Sequence, residues 1–131
     1  MKSPWLRAAI LFGLGYFLVG RLFAVPGEHA HEWRLAAWVV SFLIYWTHFA
    51  FERLRPGSSP RVVAMRVATA VAIGAFGIAV AGMARSVSTQ HSVKPTWLLA
   101  LVLFPLVTAV PAFLVALAAA VAAARRSEST R

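Results

Sequence analysis

Apolar residues along the chain gather into four long runs separated by short polar connections, with neither the strict alternation of a half-buried strand nor the narrow stripe of a surface helix. The runs cover about residues 5–25, 33–52, 62–84 and 96–124. Each is close to or above the roughly 20 residues that carry a helix across a hydrocarbon core of about 30 Å. The pattern predicts an all-α, polytopic membrane protein: four transmembrane helices in an antiparallel bundle, forming a single integral membrane domain over residues 1–131.

Breakers and flanking charges set the expected boundaries. In the first run Arg7 and Arg21 bracket an uncharged centre and can snorkel to the two interfaces. Lys2 and Arg7 precede that run as in a signal peptide. The following Leu22-Phe23-Ala24 lacks a small-x-small cleavage pattern, so a retained signal-anchor helix is expected. Arg53 to Pro60, with two prolines, a glycine and two serines, ends the second helix and makes a tight connection. Ala70, Gly74, Gly77 and Ala81 in the third run share one helical face, where a neighbouring backbone can approach closely. The polar segment Arg85 to Lys94 is expected to be a loop. The last run, counted from Pro95 to Ala124, would measure about 45 Å. Pro105 and Pro111 are expected to kink it, and the alanine-rich stretch Ala116 to Ala124 to project past the bilayer.

Composition agrees with this reading and narrows the chemistry. Hydrophobic residues make up 60% of the chain and charged residues only 13%, against about a quarter charged in a soluble domain. The 131 residues leave no room for a soluble catalytic domain beside four spans. With no cysteine, disulfides, thiol redox chemistry and thiolate metal sites are excluded.

The net charge of +9 is distributed unevenly. Lys2, Arg7, Arg53, Arg55, Arg61, Arg66, Arg125, Arg126 and Arg131 fall on the side of the two termini, nine basic residues against the four at Arg21, Arg34, Arg85 and Lys94. The positive-inside rule then places both termini in the cytoplasm of a bacterial-type inner membrane. Anionic lipid headgroups of the bilayer are the partners this charge calls for. No basic and aromatic interleaving outside the spans points to nucleic acid.

The most informative polar pattern lies on the second helix. Arg34, Trp38, Ser41, Tyr45, His48, Glu52 and Arg55 are separated alternately by four and three residues and share one face. Such a face is expected to turn from lipid toward other helices or a wet cavity, making this helix the polar spine of the bundle. Ser41, Tyr45, His48 and Glu52, with Arg66 at the start of the next helix, form a candidate ligand or proton path. The structural alternative is that Glu52 forms an ion pair with Arg55 or Arg66 while His48 fills a helix contact.

A second candidate is Glu28, His29, His31 and Glu32, with His91 on the other loop of the same side. Nitrogen and oxygen donors of this kind could hold a divalent metal such as zinc, copper or nickel. Equally, the acidic run after Pro26-Gly27 could simply begin the second helix with favourable charge.

Other classes lack their parts. His48 is the only histidine inside a span, so a self-contained bis-histidine haem is excluded, leaving axial ligation of a porphyrin or chlorophyll within a larger complex as a third possibility. No phosphate loop or nucleophile motif supports intrinsic catalysis. The first span carries no acidic residue, which separates the chain from small four-helix multidrug exporters of similar length. The expected role is therefore a non-enzymatic membrane subunit or scaffold that packs with itself or with larger partners. The alternative is a small oligomeric transporter or channel for protons, metal ions or a small solute.

Overall fold

Proline marks three of the four helix starts. Pro4, Pro60 and Pro95 are the first residues of α1 (Pro4–Leu22), α3 (Pro60–Gln90) and α4 (Pro95–Ser129); α2 runs over Ala30–Arg53. A missing N–H is harmless at that position and the fixed φ of proline suits it. Ser59 helps start α3 by accepting a hydrogen bond from the Val62 amide at 3.4 Å. The turns after α1 and α2 pass through Gly27 (φ 124°) and Gly57 (φ 74°), backbone conformations that a β-carbon would strain. The computed structural model describes residues 3–90 and 94–129, and among these the four helices are joined by no strand. All four are long and apolar enough to cross a membrane, the build of a multi-pass membrane protein.

Several boundaries differ from expectation. α1 stops at Leu22, short of residue 25, because Pro26, four residues on, has no N–H to give the Leu22 carbonyl and its ring opposes a further turn. α2 begins three residues before Trp33 and ends one after Glu52. The loop expected over Arg85 to Lys94 is helical as far as Gln90. Nothing in Arg85–Gln90 breaks a helix, and Ser88 and Thr89 return their hydroxyls to the Arg85 carbonyl at 2.9 Å each. α4 likewise runs on to Ser129 as one continuous helix through Pro105 and Pro111. In its alanine-rich end Ala116 and Ala120 are completely buried.

α3 is the central element, packed most extensively on α4 and next on α1. α1 and α3 run parallel and almost touch. A β-carbon added at Gly74 would lie 2.5 Å from Tyr16 Cβ and 2.9 Å from the Gly13 carbonyl oxygen. One added at Gly13 would lie 2.7 Å from Ile73 Cγ2. Ala70, Gly74 and Gly77 thus provide the close approach expected of the small-residue face. α4 runs antiparallel to α3, and Ala116 and Ala120 pack with Val63, Ala64 and Val67 of α3 and Phe49 of α2 into one buried cluster.

α2 is attached more loosely, and the expectation of a polar spine holds for only half of it. Arg34 is exposed and Trp38 is 77% exposed, Ser41 and Tyr45 are half-buried, and His48 and Glu52 are fully buried. The single-faced spacing is present throughout, but the neighbouring helices cover it only toward the C-terminal end of α2.

Substituting Gly74 by valine tests the close crossing. Overpacking against Tyr16 and the Gly13 backbone should destabilise the bundle by about 1–3 kcal/mol, read as a lower thermal midpoint in detergent. A midpoint equal to that of the unsubstituted protein would mean that α1 and α3 are further apart than described.

Candidate functional site

Glu52 sits in the last turn of α2 with no exposed surface. Its Oε2 accepts a hydrogen bond from an Arg66 guanidinium nitrogen at 2.8 Å, and its Oε1 lies 3.6 Å from Arg55 Nε. A carboxylate removed from water is stable only when its charge is matched at short range, and two guanidinium groups do so here. Both arginine side chains keep about a quarter of their surface exposed, at 23% for Arg55 and 24% for Arg66. The buried member of the cluster is therefore the acid.

The same arginines tie down α1. Arg55 donates to the Pro4 carbonyl at 3.4 Å and lies 4.8 Å from the Phe51 ring centre, while Arg66 lies 5.9 Å from the ring centre of Trp5. α4 is clipped from α2 in two places. Arg53 donates to the Ala120 carbonyl at 3.0 Å, and the Tyr45 hydroxyl donates to the Ala112 carbonyl at 2.7 Å. All four helices meet around one acid at this end of the bundle.

His48, one turn before Glu52, is also completely buried. Its ring stacks on Phe12 of α1 at 4.1 Å between centroids and 14° between planes. Nε2 stands 3.9 Å from Glu52 Oε1, beyond hydrogen-bonding distance. Both ring nitrogens, Glu52 Oε1 and the Tyr16 hydroxyl are buried without a hydrogen bond to any described residue. Phe12 thus lies flat against one face of the imidazole, and both ring nitrogens are enclosed within the bundle. Arg55 and Arg66 outnumber the single carboxylate, which makes the cluster unfavourable for a metal cation.

Of the expected path the structure brings together His48, Glu52 and Arg66; Tyr45, on the same face, turns its hydroxyl to the Ala112 carbonyl of α4, and Ser41 is half-buried one turn before it. The principal clefts are lined by other residues: one between α1 and α3, one where α3 meets the start of α4, and one along α4. Thr108, near the two prolines of α4, turns its hydroxyl back onto the Phe104 carbonyl of its own helix at 2.9 Å.

The histidine-rich run behaves differently. Glu28, His29, His31 and Glu32 are all exposed around the start of α2, where His29 Nδ1 lies 3.2 Å from Glu32 Oε2. His29 holds the N-cap position and Glu32 places negative charge in the first turn, as a helix start favours. Among the described residues no group of three His, Asp or Glu side chains gathers to hold a metal; His91 lies outside them.

Sequence reasoning misses Phe12, Trp5 and the clip made by Arg53. Phe12 is one apolar residue among many in α1 and carries no signal of its own. Arg53 is legible only as a topology charge, although its place beside Glu52 in the same last turn could direct it to a neighbouring helix. No family model, no curated protein and no solved structure matches the chain.

The cluster should respond asymmetrically to substitution. Arg66→Met leaves a buried carboxylate with only the longer contact to Arg55 and should cost about 3–5 kcal/mol. Glu52→Gln leaves arginines that water can still reach and should cost about 1–3 kcal/mol. Thermal unfolding of both variants in the same detergent checks the order, and a larger loss for Glu52→Gln would contradict the assignment of the acid as the buried member.

Proposed function

We propose that the chain is a non-enzymatic membrane subunit or scaffold, a four-helix unit that packs with itself or with larger membrane partners. The observation that carries this reading is the enclosure of His48 and Glu52. Both are wholly buried, their surroundings are side chains of the same chain, and the principal clefts open elsewhere. The polar groups of α2 serve to join helices, the common use of polar side chains in lipid. Beyond this knot α2 carries a broad uncovered apolar surface, with Trp38, Val39, Phe42 and Leu43 each more than half exposed. In a membrane, lipid or another helix takes up such a face.

One observation favours a second reading, a small oligomeric transporter or channel for protons, metal ions or a small solute. The two His48 nitrogens and Glu52 Oε1 are buried without a hydrogen bond to any described residue, and such groups in a membrane interior commonly mark proton or ion paths. Crosslinking in native membranes followed by native mass spectrometry should recover a multimer or a companion protein if the subunit reading is right. A monomer without companions would count against it. Proton or metal flux in proteoliposomes that His48→Gln abolishes would replace it with the transport reading.

We place the chain in a bacterial-type inner membrane with both termini cytoplasmic, on the strength of nine basic residues against four across the spans. The Glu52 knot then lies at the cytoplasmic end. Because the chain has no cysteine, single introduced thiols report sidedness cleanly. Ser58→Cys should react with an impermeant maleimide only from the cytoplasmic side and His29→Cys only from the opposite side. The reverse labelling pattern would invert the orientation.

A further inference from the structure

We propose that the cleft where α3 ends and α4 begins is a seat for the phosphate of an anionic lipid headgroup. The cleft, of about 340 Å³, is lined by Gly82, Arg85, Ser86, Thr89, Lys94 and Trp97. It holds two cations and no acid. Arg85 and Lys94 are exposed, and neither forms an ion pair with a described residue. Ser86 is only 8% exposed, lines the cleft, and makes no side-chain hydrogen bond to a described residue. The Thr89 hydroxyl is already committed to the Arg85 carbonyl at 2.9 Å. A guanidinium fork, an ammonium group and a hydroxyl are thus left as donors around one space, a set that suits the oxygens of a phosphate.

The surroundings favour a lipid over a soluble anion. Trp97, in the first turn of α4, closes one wall, and it can lie against α3 because residue 82 is glycine. A β-carbon there would stand 2.8 Å from Trp97 Cζ3. An indole at the end of a span is suited to headgroup depth. The next residues of α4, Leu98 and Leu99, are each 58% exposed and give the helix an apolar outer surface beside the cleft. A headgroup in the cleft would leave its acyl chains beside that surface, whereas a free anion would make no use of it. This seat involves none of the residues of the Glu52 knot and stands apart from the subunit reading.

The test is native mass spectrometry of the full chain released from nanodiscs containing equal phosphatidylglycerol and phosphatidylcholine. The unsubstituted protein should retain phosphatidylglycerol preferentially. Arg85→Gln combined with Lys94→Gln should lower that retention about tenfold or more, the change that the loss of charge-assisted hydrogen bonds brings. Arg125→Gln combined with Arg126→Gln, which removes the same charge at the opposite end, should lower it less than the cleft pair does, and an equal loss from the two double variants would mean that overall charge and not the cleft holds the lipid. If the first double variant does not fold, Lys94→Gln alone, at an exposed side chain, should still reduce retention several-fold. Equal retention by the unsubstituted and the Lys94-substituted proteins would overturn the site. Displacement of the lipid by millimolar inorganic phosphate would overturn the lipid assignment in favour of a soluble anion, and persistence of the lipid under that challenge supports it.

Discussion

A carboxylate that leaves water at the edge of a bilayer must be matched by positive charge at short range, and the architecture around Glu52 is organised by that requirement. Arg66 supplies the direct hydrogen bond from α3 and Arg55 a longer contact from the turn beyond α2. The Arg66 guanidinium lies over Trp5 and that of Arg55 over Phe51, and Arg55 reaches the backbone at Pro4. One buried negative charge thereby fixes where α1, α2 and α3 stand relative to one another. Arg53, in the same turn of α2, extends the arrangement to α4.

Two different kinds of attachment hold the helices together. α3 joins α1 and α4 by close packing of small residues, with Gly13 against Ala70 and Gly74, and Ala116 and Ala120 against Val63, Ala64 and Val67. Lipid offers no hydrophobic drive to such contacts, so they depend on how closely the backbones can approach. α2 is joined mainly by polar contacts at one end, where Tyr45, Arg53 and Glu52 each reach a different neighbour or carbonyl. Its other end is held by lighter contacts such as the edge-on pair of Phe23 and Trp33, with ring centres 5.7 Å apart.

Much of this architecture is legible in the amino-acid sequence, and the gaps have identifiable causes. Four apolar runs of membrane-spanning length imply four helices, and Pro60, Pro95 and the Pro56-Gly57 turn mark boundaries by backbone geometry alone. Boundaries inferred from polarity are less secure. Arg85–Gln90 is polar yet helical, since polarity tells where water begins and not where a helix stops. The spacing of Tyr45, His48 and Glu52 puts them on one face, and the hairpin brings Arg66 to the same end. The periodicity is the same along all of α2, so it cannot say which half its neighbours cover. Ala116 and Ala120 look merely weakly apolar in the chain, whereas their value lies in small size, visible only once Val63 and Val67 stand opposite.

The short distance along the chain between Glu52 and Arg66 bears on biogenesis. Acid and base are only 14 positions apart, so the charge of Glu52 can be neutralised within a single α2–α3 hairpin before α4 is added. α4 carries no formal charge between Pro95 and Ala124 and needs no such companion to partition into lipid. Assembly can therefore proceed from a helical hairpin whose buried acid is already paired, to which α4 is added by close packing and by the Arg53 and Tyr45 hydrogen bonds.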